Sequence, residues 1–432
     1  MDRDRLCDCD SAVPFTETGI LSATISWIEI SQREQPVMVE SYFSVQPSAA
    51  EIEHKIAGLG GWFEIDLDAL SDNLDTIRAR TGAEVMPVIK NNAYGHGLRP
   101  ICSALAARGV NWLMVARLSE ALAIKSWDLP CQVVNMDALY TDDQFDAVVE
   151  RDITQVVYTS ELVRRLNDAA VAMNRIAGVF VKVDTGLHRV GVAYDRAGDL
   201  MREIDAMPGL EIRGTFSTLM QDDENDQRIF DRFDGLLEQL KREDIDPGLC
   251  SLASTHAIFH YPQSWYDMVR PAMSLYGIYP FARDRECGLE LRQVLTFKAR
   301  IEELKPVFSG ETVTYFGKYT AERDMRVGTL HVGFFDGLPR ELANRGTILV
   351  NGRPCPAIGS VSLNHYLFDA TDVDAAIGDV VEVIAAEGVN DLVTTAETAG
   401  WMVYSLLNHL SPFVPRVYYR NGVPVALHEV SV

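Results

Sequence analysis

The chain has 432 residues, enough for two domains, and an apolar content ordinary for a soluble globular protein. Its 39 Lys and Arg against 62 Asp and Glu give a net charge of −23, which argues against nucleic acid or an anionic membrane as partner. No apolar stretch approaches the length of a membrane span.

Residues 1–12 are charged and lack the apolar core of a secretory signal. The seven cysteines (Cys7, Cys9, Cys102, Cys131, Cys250, Cys287, Cys355) are odd in number and mostly scattered in apolar context. That is the pattern of reduced thiols, so a cytoplasmic location is expected. Cys7-Asp8-Cys9 is too tightly spaced for a usual zinc pair, and no metal site is expected. Apolar, β-branched runs at Ile20 to Ile30 and Val37 to Val45 fit a strand pair or a clasp. Residues 1–61 therefore read as an N-terminal extension.

From Trp62 the pattern becomes regular. Strand-like runs lie at 85–90, 111–117, 131–136, 154–159, 177–185, 210–219, 249–254 and 270–276. Helical stretches separate most of them: Leu98 to Arg108, Thr141 to Asp152, Ser160 to Asn174, Tyr194 to Met207 and Asn225 to Glu243. Ser160 and Asp195 sit where N-caps belong. The alternation predicts an α/β fold, a (β/α)8 barrel over residues 62–290. No dinucleotide-type glycine fingerprint follows the first strand, which disfavours an open doubly wound sheet. After about Pro280 short strands replace helical periods, and Asn351-Gly352 between two of them is a hairpin signal. Residues 291–432 are thus expected to form a mainly β C-terminal domain.

The first barrel run, Val85-Met86-Pro87-Val88-Ile89, ends on Lys90, and Asn91-Asn92-Ala93-Tyr94-Gly95-His96-Gly97 follows. Burial disfavours an ammonium and lowers its pKa, as a Schiff-base or proton-transfer lysine requires. Taken alone, such a lysine reads more readily as one that snorkels to the surface.

The stretch Val88 to Gly97 is similar to the cofactor-lysine motif of the alanine racemases, which are pyridoxal-phosphate enzymes. The resemblance continues in order from about Trp62 to near the C-terminus. It implies pyridoxal 5'-phosphate as cofactor and Lys90 as the Schiff-base lysine. Tyr94, Thr255, Tyr404 and the backbone N–H groups of Ala272 and Met273 would hold the phosphate. Thr218 and Ser254 would stand beside the cofactor. Lys182 to Gly191 resembles the segment in which a carbamylated lysine holds an arginine, and Arg189 would meet the substrate carboxylate, whose shape suits a guanidinium fork. Asp267 to Gly277 resembles the segment whose arginine, here Arg270, faces the pyridine nitrogen. Arginine donates a hydrogen bond without readily surrendering its proton. The cofactor then stays a weak electron sink, which suits simple proton exchange at Cα.

Glu311 to Phe316 resembles the segment with the second base, Tyr315, which the family supplies from the partner subunit. A homodimer with shared sites is implied, with Lys90 and Tyr315 each serving one enantiomer. Leu363 would contact substrate. Several positions depart from the family pattern. Two histidines that link the tyrosine to the arginine are replaced by Thr218 and Ser251, which can relay a hydrogen bond but carry no charge near neutral pH. Ser254 stands for an asparagine, Phe334 for a tyrosine, and Leu363-Asn364 for Met-Asp. The implied activity is racemisation of alanine or a related small amino acid such as serine. A diverged aldolase, dehydratase or decarboxylase reaction is the alternative. A non-catalytic cofactor-binding protein is a third reading, against which the retained Tyr315 speaks.

Overall fold

The computed structural model describes residues 41–429. The expected N-terminal runs and Cys7-Asp8-Cys9 lie mostly outside these residues. The described end of Val37 to Val45 is helical, Ser41–Ser44. All five cysteines within the range are free thiols.

Eight parallel strands close into a ring. Trp112–Val115, Gln132–Asn135, Thr154–Val157, Ala177–Asp184, Leu210–Phe216 and Leu249–Ser251 pair in that order. Met268–Val269 pairs with Glu84–Val85. Bridges between Val88 and Met114 and between Ser254 and Arg270 join the two groups. The run that ends at Lys90 is therefore the first barrel strand, as expected. The strands are apolar on both faces; Ala177–Asp184 is buried along nearly its whole length.

Helices fall between the strands close to the expected ranges. Two caps differ. Thr159, not Ser160, caps Ser160–Ala172, its hydroxyl accepting from Leu162 N–H at 3.2 Å. Asp195 lies inside Tyr194–Asp205, in the first turn, where its charge meets the positive end of the helix.

In the β part, Met325–Leu330, Tyr366–Asp369, Arg353–Ile358, Thr347–Val350, Val380–Ile384 and Leu295–Val307 pair in sequence, and the last returns to the first. Asn351 and Gly352, both at positive φ, turn the expected hairpin. Gly61–Asp66 also belongs to this layer, antiparallel to Leu295–Val307 and parallel to Arg416–Arg420. A division at residue 62 falls inside that strand. Its pairing partners, some 230 residues or more away, decide its layer.

The segment after Lys90 is the least ordinary backbone in the fold. Asn91, Asn92, Ala93 and Tyr94 have φ of 57, 56, 54 and 51°, one turn of left-handed helix. Each such residue costs about 1–2 kcal/mol, least for asparagine. The turn is held from outside. Asn92 Oδ1 accepts from Leu98 N–H at 2.7 Å, capping the helix Leu98–Ala107. Arg416, 1% exposed, donates to Gly95 O at 2.7 Å and to the carbonyls of Val414, Ser411 and Pro412. Tyr418 Oη donates to His96 O at 2.9 Å, and a side chain at Gly97 (φ 99°) would run into that hydroxyl.

Replacing Arg416 strands these buried carbonyls, each worth about 1 kcal/mol or more. Arg416→Met should lower stability by about 3 kcal/mol, read as a shift in urea midpoint at constant slope. A loss within experimental error would mean that the clamp does not hold the turn.

Candidate active site

Catalytic groups of a barrel collect at the C-terminal ends of its strands, and a cavity of about 460 Å³ opens there. Lys90 reaches it from the first strand, Lys182 and Arg189 from the end of the fifth strand and the loop after it. Phe216 and Thr218 come from the sixth, Ser254 and Thr255 from beyond the seventh, Arg270 and Ala272 from the eighth. Tyr94 and, from the helix Val403–His409, Tyr404 complete the wall. Met273, next to Ala272, is fully buried and does not line the cavity.

Among the described residues, four basic side chains line this cavity and no carboxylate does, in a chain of net charge −23. Their crowding has a price in protonation. Burial, followed by Arg189, lowers the Lys90 pKa, and Glu120 opposes the shift. Lys182 is pulled far below the ordinary lysine range by burial and then by Arg270 and Arg189. It donates to Thr218 Oγ1 at 2.7 Å. Arg189 has no carboxylate partner among the described residues; Asp184 instead accepts from the N–H groups of Gly186 and His188, both at 3.0 Å. Thus Arg189 is not tied up in a surface pair with Asp184, and its fork is free for an anion.

Arg270 is 3% exposed. Its guanidinium donates to Ser217 O at 2.6 Å, to Leu252 O at 3.3 Å and to Ser251 Oγ. Ser251 Oγ in turn donates to Met268 O at 2.6 Å. Its proton is committed there, which leaves a lone pair for Arg270. The two hydroxyls that stand for histidines therefore serve as acceptors for cations, Thr218 for Lys182 and Ser251 for Arg270. Thr255 Oγ1 accepts from the N–H groups of Ala272 (3.1 Å) and Ser274 (3.3 Å), gathering a hydroxyl and backbone donors at one end of the cavity. Burial raises the pKa of both tyrosines, that of Tyr404 to about 12, so each phenol stays protonated and can donate.

Tyr315 and Leu363 are not in this cavity. They share a separate surface depression of about 430 Å³ with Phe334, Arg340 and Ser360. Tyr315 is 70% exposed, next to Phe316 at 92%, with Phe334, Phe335 and Leu363 also open to solvent. Thr314 and Phe316, on either side of Tyr315, have φ of 63 and 66°. Such values are outliers for a β-branched or bulky residue and mark a tightly specified tip.

Two contributors escaped the sequence. Phe216 lies under both cations, its ring centroid 4.5 Å from Lys182 Nζ and 4.9 Å from Arg270 Cζ. Strand alternation put it on the face of Thr218, the one available signal. Glu120, on the helix after the second strand, accepts from Asn92 N–H at 2.9 Å and faces Lys90. Nothing local in the sequence distinguishes it from a solvated helical glutamate.

Residues 65–280 match the family model described as alanine racemase, N-terminal domain, and 294–418 that of the C-terminal domain. The alanine racemase of Halothermothrix orenii is 33% identical over 83% of this chain and 96% of its own length. That of Clostridium novyi is 30% identical over 84% and 96%. Among solved structures, alanine racemase of Clostridium difficile 630 superposes with a TM-score of 0.80 at 26% identity, covering 86% of this chain and 98% of its own. With both domains matched in order, and with a closed parallel barrel joined to a β part, this chain belongs to the alanine racemase family.

Proposed function

We propose that this chain is a pyridoxal-phosphate-dependent racemase that interconverts the L and D forms of alanine or a similarly small amino acid. The observation that carries the reading is the cavity itself: Lys90, Lys182, Arg189 and Arg270 with no opposing carboxylate. The donor set fits the cofactor. An amine with a lowered pKa suits its aldehyde. The Thr255 hydroxyl, the Tyr94 and Tyr404 phenols and the backbone of Ala272 and Met273 suit its phosphate. A buried, hydrogen-bonded guanidinium at Arg270 suits its ring nitrogen. When bound, the cofactor supplies the electron withdrawal that acidifies the Cα–H of an amino acid.

The chain's own groups then divide the work. Arg189 binds the substrate carboxylate. Lys90 removes or returns the Cα proton of one enantiomer. Tyr315, supplied by a second copy of this chain, does so for the other. Its exposure, its strained tip and the aromatic patch around it support a role completed by association. Arg270 keeps its own proton, since its three acceptors stabilise the charged form. Leu363, in the same depression as Tyr315, would border the side chain of the substrate.

The fate of the Ser251 proton favours one second reading. Because that hydroxyl is committed to Met268 O, the Tyr315 phenol gains no charged relay through it, and a reaction using Lys90 alone becomes a competitor.

Three outcomes are expected. In D2O, the Cα–H NMR signal should disappear from both enantiomers of one small amino acid, with the carbon skeleton intact. Exchange from a single enantiomer, or new carbon products, would select an aldolase, dehydratase or decarboxylase instead. Tyr315→Phe should retain cofactor absorbance yet lose interconversion by about 10²–10⁴-fold, whereas Lys90→Ala should lose the absorbance of the attached cofactor. A Tyr315→Phe variant of normal rate would remove the two-base reading. The third concerns pH. A lowered Lys90 pKa leaves more neutral amine at a given pH, so the acid limb of the rate profile lies below the ordinary lysine value of about 10.4. Glu120→Gln removes the carboxylate that raises this pKa and should shift the limb further toward acid. An unmoved limb would mean that Lys90 is not the titrating base.

A further inference from the structure

Behind the wall that carries Thr255 lies a group of side chains that the proposed reaction does not use. The helix Thr255–His260 places His256 and His260 four residues apart on one side, with ring centroids 4.8 Å apart. Asp284, fully buried in the short helix Ala282–Glu286, faces both. Its Oδ1 lies 2.8 Å from His260 Nε2 and 4.0 Å from His256 Nδ1, while Oδ2 accepts from Phe281 N–H at 3.0 Å. One ligand atom from each residue falls within 4.8 Å of the others. His256 is only 6% exposed, and its Nδ1 has no hydrogen-bond partner. A buried ring nitrogen aimed at a carboxylate just beyond hydrogen-bond reach is a costly arrangement unless something sits between them.

We propose that His256, His260 and Asp284 bind one divalent cation of the zinc, cobalt and nickel class. Two imidazoles and one carboxylate are the donors such ions prefer, whereas calcium and magnesium take oxygen ligands. Metal–ligand bonds of about 2.0–2.1 Å in a tetrahedron give ligand edges of roughly 3.3 Å, and the observed 2.8 and 4.0 Å bracket that length. The third edge, between the two imidazole nitrogens, lies within 4.8 Å, so ligation asks His256 to close on Asp284 and His260 to open from it. His260 ligates through Nε2 once its proton moves to Nδ1, and the carboxylate keeps its charge. The neutral imidazole is the form that ligates, so binding is tighter once the histidines are deprotonated. The fourth position stays open for water, as His260 is 29% exposed. The ion would tie the helix that starts at Thr255 to the Ala282–Glu286 turn, a structural role that stands whether or not the racemase reading does.

The test is equilibrium dialysis of the full chain, stripped with chelator, against Zn2+. A surface group, Glu302, His331 and His365, is also within ligand distance, so the measurement is made in a His331→Ala background. One zinc per chain is expected. His260→Gln should weaken it by at least about 10-fold, since the loss of even an outer partner has that effect, and should abolish any zinc-induced rise in Tm. The metal-free Tm of this variant is measured beside that of its parent, and the zinc-induced rise is read relative to each, which separates lost binding from lost folding. Absence of stoichiometric zinc, or zinc retained in the His256→Gln, His260→Gln double variant, would overturn the proposal.

Discussion

The left-handed turn from Asn91 to Tyr94 is the constraint on which the site depends. It immediately follows Lys90, so the path of this turn sets where the amine leaves the barrel. Four residues in that conformation oppose their own backbone preferences and need external support. The support comes from the C-terminal end of the chain. Arg416 grips Gly95 O, and Tyr418 grips His96 O, more than 300 residues away in sequence. The same strand pairs with Gly61–Asp66, which pairs with Leu295–Val307. The β layer therefore acts as a brace for the cofactor-lysine turn as well as a carrier of Tyr315. A barrel expressed without it would lack the Arg416 and Tyr418 donors that hold the turn.

Electrostatics complete the logic of the site. An acidic protein concentrates four cations around one cavity and leaves carboxylates out of its lining. Burial lowers the pKa of Lys90 and Lys182 accordingly. For Lys90 the shift suits the proposed reaction, because a neutral amine is the reactive form. For Arg270 the intrinsic pKa is high enough that burial leaves the charge in place, and the carbonyls of Ser217 and Leu252 stabilise it. Phe216 lies beneath Lys182 and Arg270 and offers its π face where a carboxylate would neutralise the site.

The changes at Thr218 and Ser251 acquire a meaning in this context. A histidine at either position could carry charge between the second base and Arg270. The hydroxyls instead accept from the cations next to them, and Ser251 passes its own proton to a main-chain carbonyl. The site thus keeps its hydrogen-bonded frame and gives up a titrating relay. Tyr315 sits on a strained, exposed tip in an aromatic patch, so its environment depends on what covers that patch.

The order of barrel strands and helices was legible in the sequence, because two-sided burial writes apolar runs and exposed helices write a 3.6-residue period. The hairpin at Asn351-Gly352 was legible for the same local reason: a two-residue turn demands residues that tolerate positive φ. The cofactor-lysine motif, Arg270 and Thr255 were readable as ordered motifs at strand ends. Tertiary structure alone decided what depends on distant partners. It assigned Gly61–Asp66 to the β layer, turned Asn91–Tyr94 left-handed under the grip of Arg416, and set Glu120 against Lys90. It also separated Tyr315 and Leu363 from the cavity that holds Lys90, a division no linear pattern encodes. Local periodicity records which face of an element is buried; which other element buries it is settled only when the chain is closed on itself.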